Sequence, residues 1–148
     1  MLCDFAALRD KDGIDLVVLW EIPVTENEIA TVIVDASYKV HKALGPGLLE
    51  SVYEAVLAYE LEQRNILVSR QQTIPVVYES VRLEEGYRAD LVVNGKVIVE
   101  LKSVEKVVPV HKKQLLTYLK LANMRLGLLI NFGENLIKDG ITRVANGL

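Results

Sequence analysis

The chain has 148 residues, of which 51% are hydrophobic and 25% are charged, and this size and composition are typical of one domain with a substantial core. A single cysteine, Cys3, excludes an internal disulfide framework and a cysteine-rich zinc site. The chain has no run of about 18 apolar residues and no basic start typical of a signal peptide, so we expect a cytoplasmic protein without a membrane partner. The net charge of −3 and the pI near 5.4 argue mildly against nonspecific binding to duplex nucleic acid.

The first 24 residues are the least informative part of the sequence. Residues 16–20, Leu-Val-Val-Leu-Trp, have the composition of a strand, and residues 9–13 before them are typical of a turn. We treat residues 1–24 as an N-terminal appendage of uncertain structure. Residues 25–148 then form a single domain.

Two helices are predicted next. Thr25 with Glu28 three residues later forms a capping box, and apolar residues recur at helical spacing from Ile29 to Leu44. The Gly-Pro-Gly sequence at residues 45–47 ends this helix.

The second helix is predicted over residues 48–64. Its apolar positions are Val52, Val56, Leu57 and Leu61. It places Glu50 and Tyr53 within one turn of each other, and Glu50 near the N-terminus, where a carboxylate interacts favourably with the helix dipole. Glu54 and Glu60 are expected to be solvated.

The sequence of the remaining residues predicts strands and one further helix. Extended segments are predicted over residues 66–78, 81–93, 96–104 and 125–131, with a final short strand or turn over 136–142. Pro75 indicates an edge strand or an irregularity, and Pro109 opens a helix that runs to residue 122. The order of helices and strands predicts an α/β or α+β fold with a mixed β-sheet flanked by helices.

Residues 87–102 are predicted to form a hairpin, because Asn94-Gly95 separates two runs of β-forming residues. A two-residue loop would put Asp90 and Glu100 on opposite faces of the sheet. The odd-numbered residues are all apolar, however, at positions 89, 91, 93, 97, 99 and 101. This parity places Asp90, Glu100 and Lys102 together on the other face, and it requires a loop of odd length, such as a type I turn with Gly95 as the bulge residue, or a bulge near Asp90.

Two carboxylates and a lysine on one face are suited to metal-dependent phosphodiester chemistry. Carboxylate oxygens are ligands that Mg²⁺ prefers, and the ion commonly keeps water and substrate phosphate in its other positions. A lysine beside it can orient the attacking water and offset charge in the transition state. The alternative is a hairpin whose Asp90, Glu100 and Lys102 are only solvated surface residues.

A second motif lies at residues 45–54, Gly-Pro-Gly-Leu-Leu-Glu-Ser-Val-Tyr-Glu. Through Gly47, Glu50 and Tyr53 it resembles the signature of the GxxExxY protein family, a branch of the PD-(D/E)xK nuclease superfamily. The similarity includes, in the expected order, the segments Tyr-Arg-Ala-Asp, Val-Glu-Leu-Lys and Gln-x-x-x-Tyr. Ala89 departs from the superfamily pattern, because it replaces the proline.

The resemblance implies a restriction-endonuclease-like fold over residues 25–148 and hydrolysis of DNA or RNA by water that Mg²⁺ or Mn²⁺ activates. It implies that Asp90 and Glu100 bind the ion with the Leu101 backbone carbonyl. The other site residues it implies are Lys102, Glu50 and Gln114 in catalysis, and Tyr118 in packing or contact with phosphate.

Basic residues follow the predicted site, and Lys106, Lys112 and Lys113 are candidates for contact with a phosphate backbone. Lysines on one helix face are also typical of a solvated surface. Two hypotheses follow: a Mg²⁺-dependent nuclease, or a catalytically silent module of the same fold that binds nucleic acid or protein. A homodimer is compatible with either. Retention of Asp90, Glu100 and Lys102 favours the nuclease.

Overall fold

The structure, a computed structural model, describes Pro23 and residues 25–148. The strand predicted at residues 16–20, and the appendage of residues 1–24 apart from Pro23, lie outside the described residues. The elements in chain order are α1 (Glu26–Leu44), α2 (Glu50–Gln63), β1 (Val68–Tyr78), β2 (Val81–Val93), β3 (Val97–Lys102), α3 (Pro109–Ala122), β4 (Leu126–Asn131), α4 (Ile137–Gly140) and β5 (Ile141–Ala145). Among the helices of this described part, none is long and apolar enough to cross a membrane.

The strands form one five-stranded sheet in the order β1-β2-β3-β4-β5. Strands β3 and β4 are parallel, and the other neighbours are antiparallel. A parallel pair needs a crossover connection, and α3 supplies it. Pro75 lies at a register shift in the edge strand β1, as predicted. The mixed sheet flanked by helices is therefore confirmed.

The end of the chain differs from the prediction for residues 136–142. A short helix, α4, comes first, and the strand begins only at Ile141, which pairs with Ile130. A Cβ on Gly140 would lie 2.3 Å from the Asn131 carbonyl oxygen, so only glycine allows this close approach. The sequence pattern did not reveal the helix because tertiary contact with β4 fixes where the strand begins.

Helix α1 begins and ends where the sequence predicts. The Thr25 hydroxyl accepts a hydrogen bond from the Glu28 N–H at 3.2 Å, which satisfies one donor of the first turn. At the other end Gly45 has a φ of 68° and its N–H donates to the His41 carbonyl. Glycine adopts this left-handed conformation without steric cost, so the helix ends there.

Helix α2 buries Leu57 and Leu61 as predicted, but Tyr53 and not Val52 completes the buried stripe. Tyr53 is fully buried and stacks on Phe132, with ring centroids 4.5 Å apart, and its hydroxyl donates to the Gly45 carbonyl and accepts from the Leu48 N–H. Since Tyr53 faces the sheet, Val52 is left 38% exposed. Tyr53 therefore packs in the core between α2 and the sheet.

The core has two parts, one on each face of the sheet. The first lies under α1 and α2 and includes the sheet residues Leu91, Val93, Val97, Val99 and Leu101. The second lies under α3 and includes Ala89, Val92, Ile98, Leu115, Leu119 and Leu129. The hairpin that carries the predicted site is thus enclosed between two helical layers.

The register of this hairpin confirms the predicted loop of odd length. Val93 pairs with Val97, which leaves three residues in the loop. Asn94 and Gly95 have φ of 50° and 64°, so the loop does not contain the type I turn that we expected. The prediction that Ala89 shares a face with the other odd-numbered apolar residues is also wrong, because Ala89 packs in the second part of the core. Asp90 pairs with neither neighbouring strand, since β1 skips it and the pairing with β3 ends at Leu91. The alternation of side chains between the two faces is therefore broken at Asp90.

Asn131 fixes the chain immediately after β3. Its side chain is fully buried, accepts from the N–H groups of Val104 and Gly133 at 3.0 Å each, and donates to the Val104 carbonyl at 2.9 Å. Every polar atom of the amide is therefore used. These bonds hold the segment after Lys102 against the end of β4.

We expect Asn131→Ala to lower the free energy of unfolding by roughly 2 to 4 kcal/mol, because it leaves partly buried backbone groups of Val104 and Gly133 without partners and a cavity at a fully buried position. Urea denaturation followed by circular dichroism measures the loss. Asn135→Ala, at an exposed position in the loop after β4, is the matched control and should change stability by less than about 0.5 kcal/mol. Equal stability of the two variants would contradict this role for Asn131.

Candidate active site

The predicted metal-binding carboxylates lie where the hairpin ladder opens. Regular pairing between β2 and β3 ends at Leu91 and Val99, one row before Asp90 and Glu100. In that row the Leu101 N–H donates to Asp90 Oδ2 at 2.8 Å, so a side chain replaces a backbone acceptor. The Asp90 N–H in turn lies 3.4 Å from Glu100 Oε1. The backbone of the hairpin thus brings the two carboxylates together.

The electrostatics of this pair favour the presence of a positive charge. Burial, and after it the neighbouring Asp90 carboxylate, raise the pKa of Glu100 to about 8, while Lys102 acts in the opposite direction. Two adjacent carboxylates resist being ionised together unless a proton or a cation is shared between them. The pair is therefore suited to hold a cation.

Lys102 is the last residue of β3 and is partly buried. It lies two residues after Glu100 on the strand, so both side chains point to the same face, and its charge lowers the pKa of Glu100. The Lys102 carbonyl accepts from the Phe132 N–H at 2.8 Å and fixes the end of the strand beside β4. Asp90, Glu100 and Lys102 are accordingly brought into one region by the hairpin alone.

Tyr118 on α3 also reaches this region. Burial raises its pKa, and the charges of Glu100 and Asp90 raise it further. The ring stacks on that of Tyr87, with the two planes 15° apart. Tyr87 was not identified from the sequence as a site residue, although it begins the Tyr-Arg-Ala-Asp segment. Its hydroxyl is buried without a hydrogen-bond partner, and burial and then Glu100 raise its pKa.

Glu50 is the first residue of α2, and its side chain is exposed. The Ser103 hydroxyl donates to the carbonyl of Leu48, so the start of α2 is attached to the residue that follows Lys102. Glu50 therefore lies near the end of β3 that carries Lys102. The carboxylate is exposed at the N-terminus of this helix.

Glu54 is not the solvated residue that we expected, because its side chain is only 9% exposed. Its two oxygens accept from Arg70 Nε at 3.1 Å and from Gln71 Nε2 at 2.8 Å. The same Gln71 nitrogen lies 3.3 Å from Asp90 Oδ1. Residues 16 and 17 positions later in the chain provide these partners, so the sequence around α2 gave no signal for them. Glu60 is likewise paired, with Lys39 at 3.1 Å.

The remaining predicted residues lie on or near α3. Gln114 is exposed and lies one turn before Tyr118, on the same side of the helix, and it forms no hydrogen bond with the hairpin residues of the site. Lys106, Lys112 and Lys113 are exposed around the start of α3. The structure leaves all four accessible to a large ligand but does not bring them into contact with Asp90 or Glu100.

The donor set at the hairpin fits a hard divalent ion that keeps several waters. Residues 25–148 contain no group of three or more His, Cys, Asp or Glu side chains arranged to hold a metal ion. Two carboxylates and a backbone carbonyl are nevertheless sufficient for an ion such as Mg²⁺, which usually retains water and substrate oxygens. Asp90, Glu100 and the Leu101 carbonyl are the groups that could provide this set.

Comparison with protein families gives a match that spans most of the chain. Comparison with curated proteins gives no match, and comparison with solved structures gives none. A family model described as the PD-(D/E)XK nuclease superfamily matches residues 27–144, which covers α1 through most of β5 and includes every predicted site residue. The fold, with its mixed sheet and flanking helices, is consistent with the restriction-endonuclease-like fold of that superfamily. The chain therefore belongs to the PD-(D/E)XK nuclease superfamily.

Proposed function

We propose that this protein is a nuclease that hydrolyses phosphodiester bonds with a divalent metal ion, Mg²⁺ or Mn²⁺, within the GxxExxY branch of its superfamily. The observation that carries the proposal is the pairing of Asp90 and Glu100 across the opened hairpin, with Lys102 at the end of the same strand. A single cysteine is compatible with the reducing cytoplasm in which we expect it to act.

Each residue of the hairpin has a distinct role in this proposal. Asp90, Glu100 and the Leu101 carbonyl would hold the ion. When bound, the ion supplies Lewis-acid stabilisation of the phosphate and lowers the pKa of the attacking water. The Lys102 ammonium orients that water and offsets the negative charge that develops on the phosphate oxygens.

Residues from the two helical layers assist. Glu50 accepts a hydrogen bond from the attacking water at the N-terminal end of α2, and Gln114 helps to orient the water or Lys102. Tyr118 packs beside the carboxylates and contacts the substrate phosphate. The exposed Lys106, Lys112 and Lys113 bind substrate phosphates away from the cleaved bond. Their positive charges compensate locally for the overall charge of −3.

The experiment that tests this function is incubation with end-labelled DNA and RNA, each single- and double-stranded, in Mg²⁺, in Mn²⁺ and in EDTA. We expect cleavage that requires the metal and is absent from Glu100→Ala prepared in parallel. The variant controls for a contaminating nuclease. Cleavage that is equal in the two preparations would contradict the assignment, and binding without cleavage in either metal would favour the silent module.

The metal site itself is tested by thermal stability. A ligand that binds the folded state at 100 times its Kd stabilises it by about 2.7 kcal/mol, which raises the Tm of a chain of this size by roughly 5 to 10 °C. We expect such a rise for the wild type in Mg²⁺ or Mn²⁺ and little or none for Asp90→Ala. Asp139→Ala, which removes an exposed carboxylate on α4, should respond like the wild type. An equal response of Asp90→Ala would place metal binding elsewhere.

A further inference from the structure

Gln71 has the one unusual backbone conformation inside a strand of the described residues. Five residues other than glycine have positive φ, and four of them lie in turns or just after helices, at positions 65, 79, 94 and 123. Gln71, with a φ of 51°, lies within β1. Such a conformation costs a side-chain-bearing residue about 1 to 2 kcal/mol, and strain of this kind is common at functional sites.

The consequence of this conformation is visible in the side chains. Neighbouring residues of a regular strand point to opposite faces of the sheet. Arg70 and Gln71 nevertheless bind the same carboxylate, that of Glu54 on α2. The positive φ therefore turns the Gln71 amide toward the α2 side, and the pairing between β1 and β2 omits Gln71 and Asp90 at this row.

The turned amide connects Glu54 to the candidate metal ligand. Gln71 Nε2 lies 2.8 Å from Glu54 Oε2 and 3.3 Å from Asp90 Oδ1. The other Asp90 oxygen accepts from the Leu101 N–H. Both oxygens of Asp90 are thus held by donors before any ion binds, and the orientation of the carboxylate is fixed.

Glu54 serves as an anchor in this arrangement and not as a metal ligand. Both of its oxygens are used, its charge is balanced by Arg70, and it is almost buried. Groups that hydrogen bond to a metal ligand set its orientation, and their loss typically reduces metal affinity about 10- to 100-fold.

We propose that Glu54 and Gln71 are positioning residues that orient the Asp90 carboxylate for metal binding. Glu54 holds the Gln71 amide, and the amide holds Asp90 at the angle that lets it share an ion with Glu100. This inference rests on the proposed function, because it requires that Asp90 bind the ion. It extends the site to a buried residue on α2 and to a strained residue on β1.

The test is Gln71→Gly, because glycine accepts the positive φ but lacks the amide. We expect its Mn²⁺ affinity, measured by titration calorimetry, to fall at least about 10-fold. The Tm of the metal-free variant should change little, because relief of the backbone strain offsets the lost hydrogen bond to Glu54. A residue with a structural role alone would change the two quantities differently, by lowering the Tm and leaving the Mn²⁺ affinity unchanged.

The matched control is Gln72→Gly, next along the same strand, where φ is not positive. Glycine there should lower the Tm and leave Mn²⁺ affinity unchanged, the opposite of the result for Gln71→Gly. Glu54→Gln should give an intermediate loss of affinity, because its amide oxygen still accepts one hydrogen bond while the charge that pairs with Arg70 is lost. Wild-type affinity in Gln71→Gly would overturn the inference and leave the metal site intact. Failure of the wild type itself to bind Mn²⁺ would instead contradict the metal site of the proposed function, and this inference with it.

Discussion

Replacing Lys102 by alanine is expected to reduce nucleic-acid cleavage by a factor of about 10³ or more while changing nucleic-acid affinity only modestly. The ammonium group acts on the attacking water and on charge that exists only in the transition state, so its loss lowers the rate of the chemical step. Binding depends on several phosphate contacts, and one of them contributes a small share of the affinity. A cleavage assay and a fluorescence-anisotropy titration at two salt concentrations measure the two effects separately.

Lys138→Ala is the matched control, because this lysine is exposed on α4 and far along the chain from the hairpin. It should retain both cleavage and affinity. Combined neutralisation of Lys106, Lys112 and Lys113 should have the opposite profile to Lys102→Ala, with weaker binding and a smaller dependence of affinity on salt. Undiminished cleavage by Lys102→Ala would mean that the lysine is structural and that the proposed chemistry is wrong.

The hairpin could be predicted from the sequence because its determinants are local. Asn94 and Gly95 favour a tight turn, and the apolar residues at odd positions specify which side faces the core. These two features were sufficient to predict that Asp90 and Glu100 would meet. The error at Ala89 shows the limit of this reasoning, because an alternation rule assumes an uninterrupted ladder, and the ladder opens at Asp90.

The contacts that surround the site could not be predicted in the same way. Glu54 has the sequence neighbourhood of a surface residue, and only the packing of α2 against β1 buries it beside Arg70 and Gln71. Tyr87 reaches Tyr118 because α3 crosses the second face of the sheet. Each of these contacts joins residues far apart in the chain, and neither propensity nor periodicity carries that information.

The pH dependence of stability gives the second large effect, through Glu100. The pKa of its carboxyl rises from the ordinary value of 4.5 to about 8 in the folded protein, first through burial and then through Asp90. A group whose pKa is higher in the folded state favours folding below its unfolded pKa, and this contribution is lost as the pH rises through the folded pKa. The metal-free wild type should therefore lose stability progressively between about pH 4.5 and pH 8.

Glu100→Gln should not show this loss, because the glutamine amide stays neutral and its oxygen can still accept a hydrogen bond from the Asp90 N–H. About 1 kcal/mol moves the Tm of a chain near this size by roughly 2 to 4 °C. We therefore expect the Tm of the variant to exceed that of the metal-free wild type by roughly 5 °C or more at pH 8.5. At pH 5 the difference should be much smaller. Thermal melts in EDTA across this pH range measure the difference, in which the contributions of titrating groups that are not coupled to Glu100 cancel.

Glu105→Gln, at an exposed position just after β3, is the control and should follow the wild type at every pH. Mg²⁺ or Mn²⁺ at pH 8.5 should restore stability to the wild type but not raise that of Glu100→Gln, because the ion replaces the missing proton only where two carboxylates are present. Parallel pH profiles for the wild type and Glu100→Gln would show that Glu100 is ionised in the metal-free protein without cost. The two carboxylates would then not form the closely coupled pair on which metal binding at the hairpin depends.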